Sequence, residues 1–301
     1  MSLSLYTFAD EPYVPGVVAF INSVRSHGFS GAIHIGSPEP LSIRNHACQS
    51  LIFNVLGPSA FAPTNRKAEL LLSHPSERFA FFDADMIVTQ PTLFSKIESW
   101  IDVAPVFSVA HVMVPIDYRR HAWARRLKRS ARSDRWPMLY FQGGFFAGLF
   151  DRDRPLINEW DAAIREVLTP PGNLASDADF ILSDQDVLNA VLQDWERPII
   201  GIGPPDIHPP EIWPFAPQSS LGLAILHGPG FMKPWTMTTP PPRSPGHYEL
   251  AWYDHVIARP TPISIPDPLS PSIRRWLERR ILSRVSVAYY RLMKLLRGQF
   301  G

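Results

Sequence analysis

The sequence predicts an α/β fold of the doubly wound kind, and three features point to it. Strand-like and helix-like stretches alternate through the first 110 residues, as a mainly parallel sheet flanked by helices requires. The apolar run Arg78-Phe79-Ala80-Phe81-Phe82-Asp83-Ala84-Asp85-Met86-Ile87-Val88 reads as a buried strand delivering two carboxylates to its carboxyl end, where ligands of open α/β sheets gather. Composition is that of a globular chain, 45% hydrophobic and 19% charged over 301 residues, long enough to bury a large core.

The first strand is Leu3 to Phe8, followed by the loop Asp10-Glu11-Pro12-Tyr13 and a helix opened by Pro15, with Val18, Ile21 and Val24 on its apolar face. Short strands follow at 32–35 and 53–56, and a helix at 66–72 leads into the Arg78 strand. A helix at 93–101 and a strand at 105–110 complete a half of nucleotide-binding type. Between 111 and 140 periodicity fails; Trp123 and Trp136 stand among arginines, and a surface excursion is expected. The apolar stretch 140–150 carries Gly143 and Gly144, the mark of a strand that something approaches closely, or of a bulge. Helices are expected at 156–167 and from Asp184 onward with Ser183 as N-cap, then irregular backbone through the proline-dense stretch 198–245.

The chain ends in a helix opened by Ser270-Pro271. Leu277, Ile281, Val285, Ala288, Leu292 and Leu296 share one face, with Arg279, Arg280, Arg284, Arg291, Lys294 and Arg297 opposite. This is the pattern of a helix lying on an anionic membrane surface; a terminal helix packed on the core with a solvated basic face is the alternative. Net charge is only +1, yet residues 119–135 and 273–301 each carry eight Arg/Lys against one acid, so the remaining body is acidic. Two basic patches on such a body suit phosphate or anionic lipid and argue against nucleic acid as a partner. One cysteine, Cys48, forbids an internal disulfide and points to a reducing, cytoplasmic compartment. The first residues lack a basic region before an apolar one, and no run of 18 apolar residues occurs, so neither a standard signal peptide nor a membrane span is expected.

Asp83 and Asp85 stand at i and i+2, on one face if the strand continues, and converge on a hard cation if it breaks just after Phe82. Without a cation each raises the other's pKa; a turn or N-cap pair is the plain alternative. His227-Gly228-Pro229-Gly230-Phe231-Met232-Lys233-Pro234-Trp235 offers an imidazole, a glycine that lets backbone approach a phosphate, and a lysine to neutralise it. Two carboxylates and one imidazole form a reasonable shell for Mn²⁺ or Mg²⁺.

Asp83-Ala84-Asp85, Asp184-Gln185-Asp186-Val187-Leu188-Asn189 and the segment His227 to Trp235 together resemble glycosyltransferase family 8, over about residues 3–240. The resemblance implies a GT-A fold, with 1–245 as the catalytic domain; outside it, 246–270 reads as a proline-rich linker and 271–301 as the basic helix. It implies a retaining transferase whose metal is held by Asp83, Asp85 and His227 on the diphosphate of a nucleotide sugar, UDP-linked. Gly230 and Lys233 would neutralise the diphosphate. Phe8, Ala9, Asp10 and Tyr13 would hold the base and ribose, with Lys67 and Ala84 beside the donor. Asp184 and Gln185 would face the sugar, Gln185 at the anomeric carbon. Where the family shows Asn-Ala-Gly this chain has Gln142-Gly143-Gly144, a longer amide that changes which sugar hydroxyl is reached. Outside the resemblance, the basic 111–140 segment with Trp123 and Trp136 sits in order where an acceptor would bind, and rings for sugars with arginines for phosphates suit a cell-envelope or lipid-linked glycan at the inner face of a membrane; a solvated charge run is the alternative.

Two other classes compete with this reading. A haloacid-dehalogenase-like phosphatase would use Asp83 as nucleophile, but expects Thr or Val at position 87, where Ile87 stands, and leaves His227 idle. A sugar-binding protein without catalysis would not need a metal clamp.

Overall fold

The computed structural model describes residues 2–45, 48–113, 118–129, 138–173, 177–203, 207–208, 224–228, 233–236, 247–258 and 263–264, with the single positions 281, 285 and 288. Its strands are β1 (Leu3–Phe8), β2 (Ile33–Ser37), β3 (Arg44–Asn45), β4 (Leu51–Val55), β5 (Arg78–Phe82), β6 (Met86–Val88), β7 (Val106–Met113), β8 (Met138–Leu149), β9 (Ile200–Ile202), β10 (Ile207–His208), β11 (Ile225–His227) and β12 (Ile263–Ser264). Its α-helices are α1 (Val14–Ser26), α2 (Lys67–Ser73), α3 (Thr92–Ile101), α4 (Tyr118–Arg126), α5 (Phe150–Val167), α6 (Asp184–Leu192) and α7 (His247–Tyr253).

Seven strands form the central sheet in the order β4-β2-β1-β5-β8-β7-β9. The first four are parallel, as the alternating sequence pattern predicts. β8 lies antiparallel to both neighbours, so the sheet is mixed rather than uniformly parallel. Period-two alternation splits the core between the faces. Leu3, Leu5, Ala80 and Phe82 meet α1 and α3 on one side, whereas Tyr6, Phe8, Phe79 and Phe81 meet α2, α5 and α6 on the other.

β5 stops at Phe82, and the chain turns with the Met86 amide donating to the Asp83 carbonyl at 3.0 Å. It resumes as β6 in a second sheet, antiparallel to β11, with Met86 opposite His227. The 198–245 stretch is thus less irregular than its prolines suggest, since it supplies β9, β10 and β11. α5 begins at Phe150, before the expected start at 156, because the Asp153 carboxylate accepts the Leu149 N–H at 2.9 Å and the chain turns helical ahead of Pro155.

The expected surface excursion at 111–140 is overturned in its described part. β7 runs on to Met113, and Tyr118–Arg126 is a helix that buries Arg120, Ala122, Trp123 and Ala124. Trp123 is fully enclosed, stacks on Tyr140 and Phe180, and donates Nε1–H to the Asp179 carbonyl at 2.6 Å. Arg126 pairs with Asp177 and Asp179 and reaches the Val167 carbonyl. These arginines carry packing and helix capping at once, so an apolar periodicity never appears in the sequence. Trp136, Gly230 and most of 271–301 lie outside the described residues; positions 281, 285 and 288 are helical and exposed. No helix among the described residues is long and apolar enough to cross a membrane.

Because Trp123 is core, Trp123→Ala is expected to destabilise the fold by about 3–5 kcal/mol, read as a shifted urea midpoint. A surface tryptophan would change it by no more than ~0.5 kcal/mol.

Candidate active site

The turn between β5 and β6 projects both carboxylates to one side of the sheet. Asp83 is partly exposed and its amide donates to the Gly144 carbonyl at 2.8 Å; Asp85 is buried. His227, at the end of β11, brings Nε2 to 3.2 Å from Asp85 Oδ1 and 3.9 Å from Asp83 Oδ2. One ligand atom from each of the three lies within 4.8 Å of the others. Two carboxylate oxygens and an imidazole at that spacing fit a divalent cation.

Two lysines balance this acidity. Lys67, predicted beside the donor, is buried at the start of α2, with Nζ 2.8 Å from Asp83 Oδ1, 3.1 Å from Asp184 Oδ2 and 3.0 Å from the Gly143 carbonyl. Lys67 thus donates to the Gly143 carbonyl and ion-pairs with both carboxylates. Burial alone would lower the Lys67 pKa, but Asp184 and Asp83 outweigh it and hold it above the usual range. Lys233 Nζ bonds Asp85 Oδ2 and the Gly228 carbonyl, and lies 5.5 Å from the centre of the Tyr13 ring. Burial would raise the Asp85 pKa; His227 and Lys233 reverse that and keep the carboxyl well below the ordinary range. Asp184 moves the other way, pushed up by burial and by Asp83 against the pull of Lys67.

Phe8, Ala9, Asp10 and Tyr13 line one wall of a cavity of about 220 Å³, with Ala62, Pro63, Thr64 and Lys67 on the other and Asp83, Ala84 and Asp85 at its floor. Trp235 holds the wall in place, donating Nε1–H to the Pro12 carbonyl at 3.0 Å and meeting Tyr13 edge-on. Of the residues predicted from distant stretches of chain, Phe8, Ala9, Asp10, Tyr13, Lys67, Asp83, Ala84 and Asp85 line this cavity, whereas His227, Lys233, Asp184 and Gln185 are not among its lining residues.

The glycine pair is explained by what approaches it. A Cβ at Gly143 would lie 3.0 Å from Asp184 Oδ2, and one at Gly144 would lie 2.7 Å from Asp83 Oδ2. Gln142, predicted as a donor contact, directs its amide to His227 Nδ1 at 2.8 Å. Turning that amide by half a revolution exchanges two groups of nearly equal size. Its oxygen then accepts Nδ1–H and leaves the Nε2 lone pair toward the carboxylates, the arrangement metal-binding histidines use.

Ser183 precedes α6 as expected but makes no capping bond; its φ is 53° and its hydroxyl donates to Asn65 Oδ1 at 2.7 Å. The first two α6 residues thereby enter the site. Asp184 Oδ1 accepts from Thr64 at 3.1 Å. Gln185 accepts the Gly143 N–H at 3.3 Å through Oε1 and donates Nε2–H to the Tyr140 hydroxyl at 2.9 Å, which in turn donates to Asp186 at 2.6 Å. Thr64 and Tyr140 were not singled out from the sequence. A threonine beside a proline and a tyrosine inside an apolar strand give no local signal of a site.

No protein-family model matches the chain, and no curated protein sequence does. Among solved structures, the apo WbbM bifunctional glycosyltransferase superposes with a TM-score of 0.52 at 12% identity, over 92% of this chain and 51% of that one. The galactosyltransferase LgtC, in complex with donor and acceptor sugar analogues, superposes with a TM-score of 0.51 at 13% identity, over 79% of this chain and 98% of that one. The chain shares their fold. It spans about half the length of the bifunctional enzyme. The α/β class of GT-A type expected from the sequence is the class it adopts.

Asp85 carries a pH signature. Its folded pKa is depressed, so its contribution to stability is present above the unfolded value near 4 and is lost as pH falls through the lower folded one. Asp85→Asn is expected to flatten the acid limb of the stability curve below about pH 4, measured by urea unfolding across that range; an unchanged limb would remove the assignment.

Proposed function

We propose that this chain is a metal-dependent retaining glycosyltransferase, akin to family 8, that moves a hexosyl group from UDP to a cell-envelope or lipid-linked glycan. The observation that carries this reading is the convergence of Asp83, Asp85 and His227, with the two carboxylates lining the cavity that Phe8, Ala9, Asp10 and Tyr13 share, in a fold shared with two sugar transferases. The phosphatase alternative leaves His227 and Lys233 without a role.

Asp83, Asp85 and His227 would hold Mn²⁺ or Mg²⁺, which when bound supplies Lewis acidity to the leaving diphosphate. Tyr13 offers a ring to the base and Asp10 an acceptor, while Lys233 faces the phosphates, joined by Gly230 if the resemblance holds there. Asp184 accepts from sugar hydroxyls. Gln185, its amide held at both ends, presents a fixed dipole to the anomeric carbon, and a neutral amide is a poor nucleophile beside a carboxylate. The favoured step is therefore same-face substitution. The bond from C1 to the phosphate oxygen breaks, the acceptor oxygen bonds to C1, and its proton passes to the departing phosphate.

The C-terminal helix adds a place of work. Ile281 and Val285 are 62% and 61% exposed, apolar side chains one helical turn apart on a stretch otherwise rich in arginine. This supports docking of 271–301 on an anionic membrane at its cytoplasmic face.

Calorimetry with UDP is expected to show binding only when Mn²⁺ is present, and none in Asp83→Ala or Asp85→Ala; metal-independent binding would overturn the reading. Asp184→Ala should keep UDP binding and lose transfer by about 10²–10³-fold; lost UDP affinity would move Asp184 into the nucleotide site. Removal of 271–301 should abolish sedimentation with phosphatidylserine vesicles while sparing hydrolysis of the nucleotide sugar. Sedimentation that persists would refute membrane docking.

A further inference from the structure

Tyr248 stands on α7, which packs against β6 and β11, the two strands that deliver Asp85 and His227. Its ring lies directly on Gly228. A Cβ at position 228 would collide with three carbons of that ring, so only glycine lets it sit there. Gly228 follows His227 in the chain, donates its N–H to the Asp85 carbonyl at 3.0 Å, and offers its own carbonyl to Lys233 Nζ. The phenol is therefore pressed against the residue that follows the candidate metal ligand and that accepts from the candidate phosphate lysine.

Its hydroxyl is the unusual part. The oxygen is enclosed and has no hydrogen-bond partner among the described residues, although the side chain as a whole is only half-buried. Leaving such a group unpaired costs about 1–3 kcal/mol, and unpaired buried groups are rare enough to ask for a cause. By contrast, the fully buried Tyr6 and Tyr140 of the sheet are paired, Tyr6 donating to the His74 carbonyl at 2.7 Å and Tyr140 to Asp186 at 2.6 Å. Burial, with the charge of Asp85 next, raises the Tyr248 pKa well above 10. The group is thus an O–H with a proton to donate, carried by a ring that lies on the glycine whose carbonyl accepts from Lys233.

We infer that the Tyr248 hydroxyl is a binding group for the diphosphate of the nucleotide, donating to a phosphate oxygen next to Lys233. This rests on the reading of the cavity as a nucleoside diphosphate site and adds to it a residue from outside the His227 to Trp235 segment. The chemistry matches the place. An anionic oxygen can satisfy a neutral donor in a site whose Asp85 repels free anions, once the cation has offset the carboxylates.

The test is Tyr248→Phe in the full chain, with UDP, inorganic pyrophosphate and uridine titrated in the presence of Mn²⁺ and the urea midpoint measured on the same protein. UDP and pyrophosphate are expected to bind about tenfold or more weakly, uridine as before, and the midpoint to stay level or rise because an unpaired hydroxyl has gone. Unchanged UDP affinity in a variant of a wild type that binds UDP would overturn this assignment alone. A lowered midpoint, or an equal loss for uridine, would make the hydroxyl a structural group and overturn it as well. A wild-type protein that bound neither UDP nor pyrophosphate would take the nucleotide reading down with it.

Discussion

Lys67 holds three parts of the molecule in register. Its ammonium joins the carboxylate after β5, the carboxylate that opens α6 and a β8 carbonyl. Two carboxylates so placed would repel by about 4 kcal/mol at 4 Å in a medium of effective dielectric 20, and the lysine converts that repulsion into a shared attraction. Removing one partner from such a set leaves an uncompensated buried charge, which is why the arrangement is rigid rather than merely favourable. Lys233 plays the same part for Asp85. Three carboxylates against two ammonium groups leave one net negative charge. A divalent cation would reverse that sign and make the cavity attractive to anions.

The three candidate ligands were legible in the sequence because each sits where backbone geometry speaks through residue type. Apolar β5 residues stop abruptly at Asp83, and the break sends Asp83 and Asp85 out of the sheet together. His227 closes a short apolar run whose antiparallel register with β6 carries it to the carboxylates. Gly143 and Gly144 were legible as a close approach, though not what approaches them; the answer is Asp184 and Asp83, each brought from another element.

What the sequence hid has a common cause. Trp123 is held by Asp179, Tyr140 by Asp186, and Ser183 by Asn65, partners dozens of residues away whose pairing leaves no periodic trace. In α4 the same arginines that break the hydrophobic pattern are neutralised by Asp177, Asp179 and Asp186. A segment that reads as solvated thereby becomes part of the wall behind Gln185. Lys67 shows the same concealment, since a lysine at a helix start gives no hint that its head is enclosed.

The entry into α6 ties these strands of physics to chemistry. Ser183 adopts a left-handed backbone conformation that costs of order 1–3 kcal/mol for a residue with a side chain, and its hydroxyl, bonded to Asn65 and to the Gly172 carbonyl, holds it there. Asn189 clamps the far side of the helix to Phe141 through two bonds of 2.7 Å. Between these fixed points Asp184 and Gln185 cannot withdraw. The positive end of the helix also favours a carboxylate in its first turn, partly offsetting the burial and the Asp83 charge that raise the Asp184 pKa. A group poised between those pressures, with Lys67 on one oxygen and Thr64 on the other, is suited to accepting hydrogen bonds from a neutral ligand. It is poorly suited to attacking one, which is why holding and polarising are the parts proposed for Asp184 and Gln185.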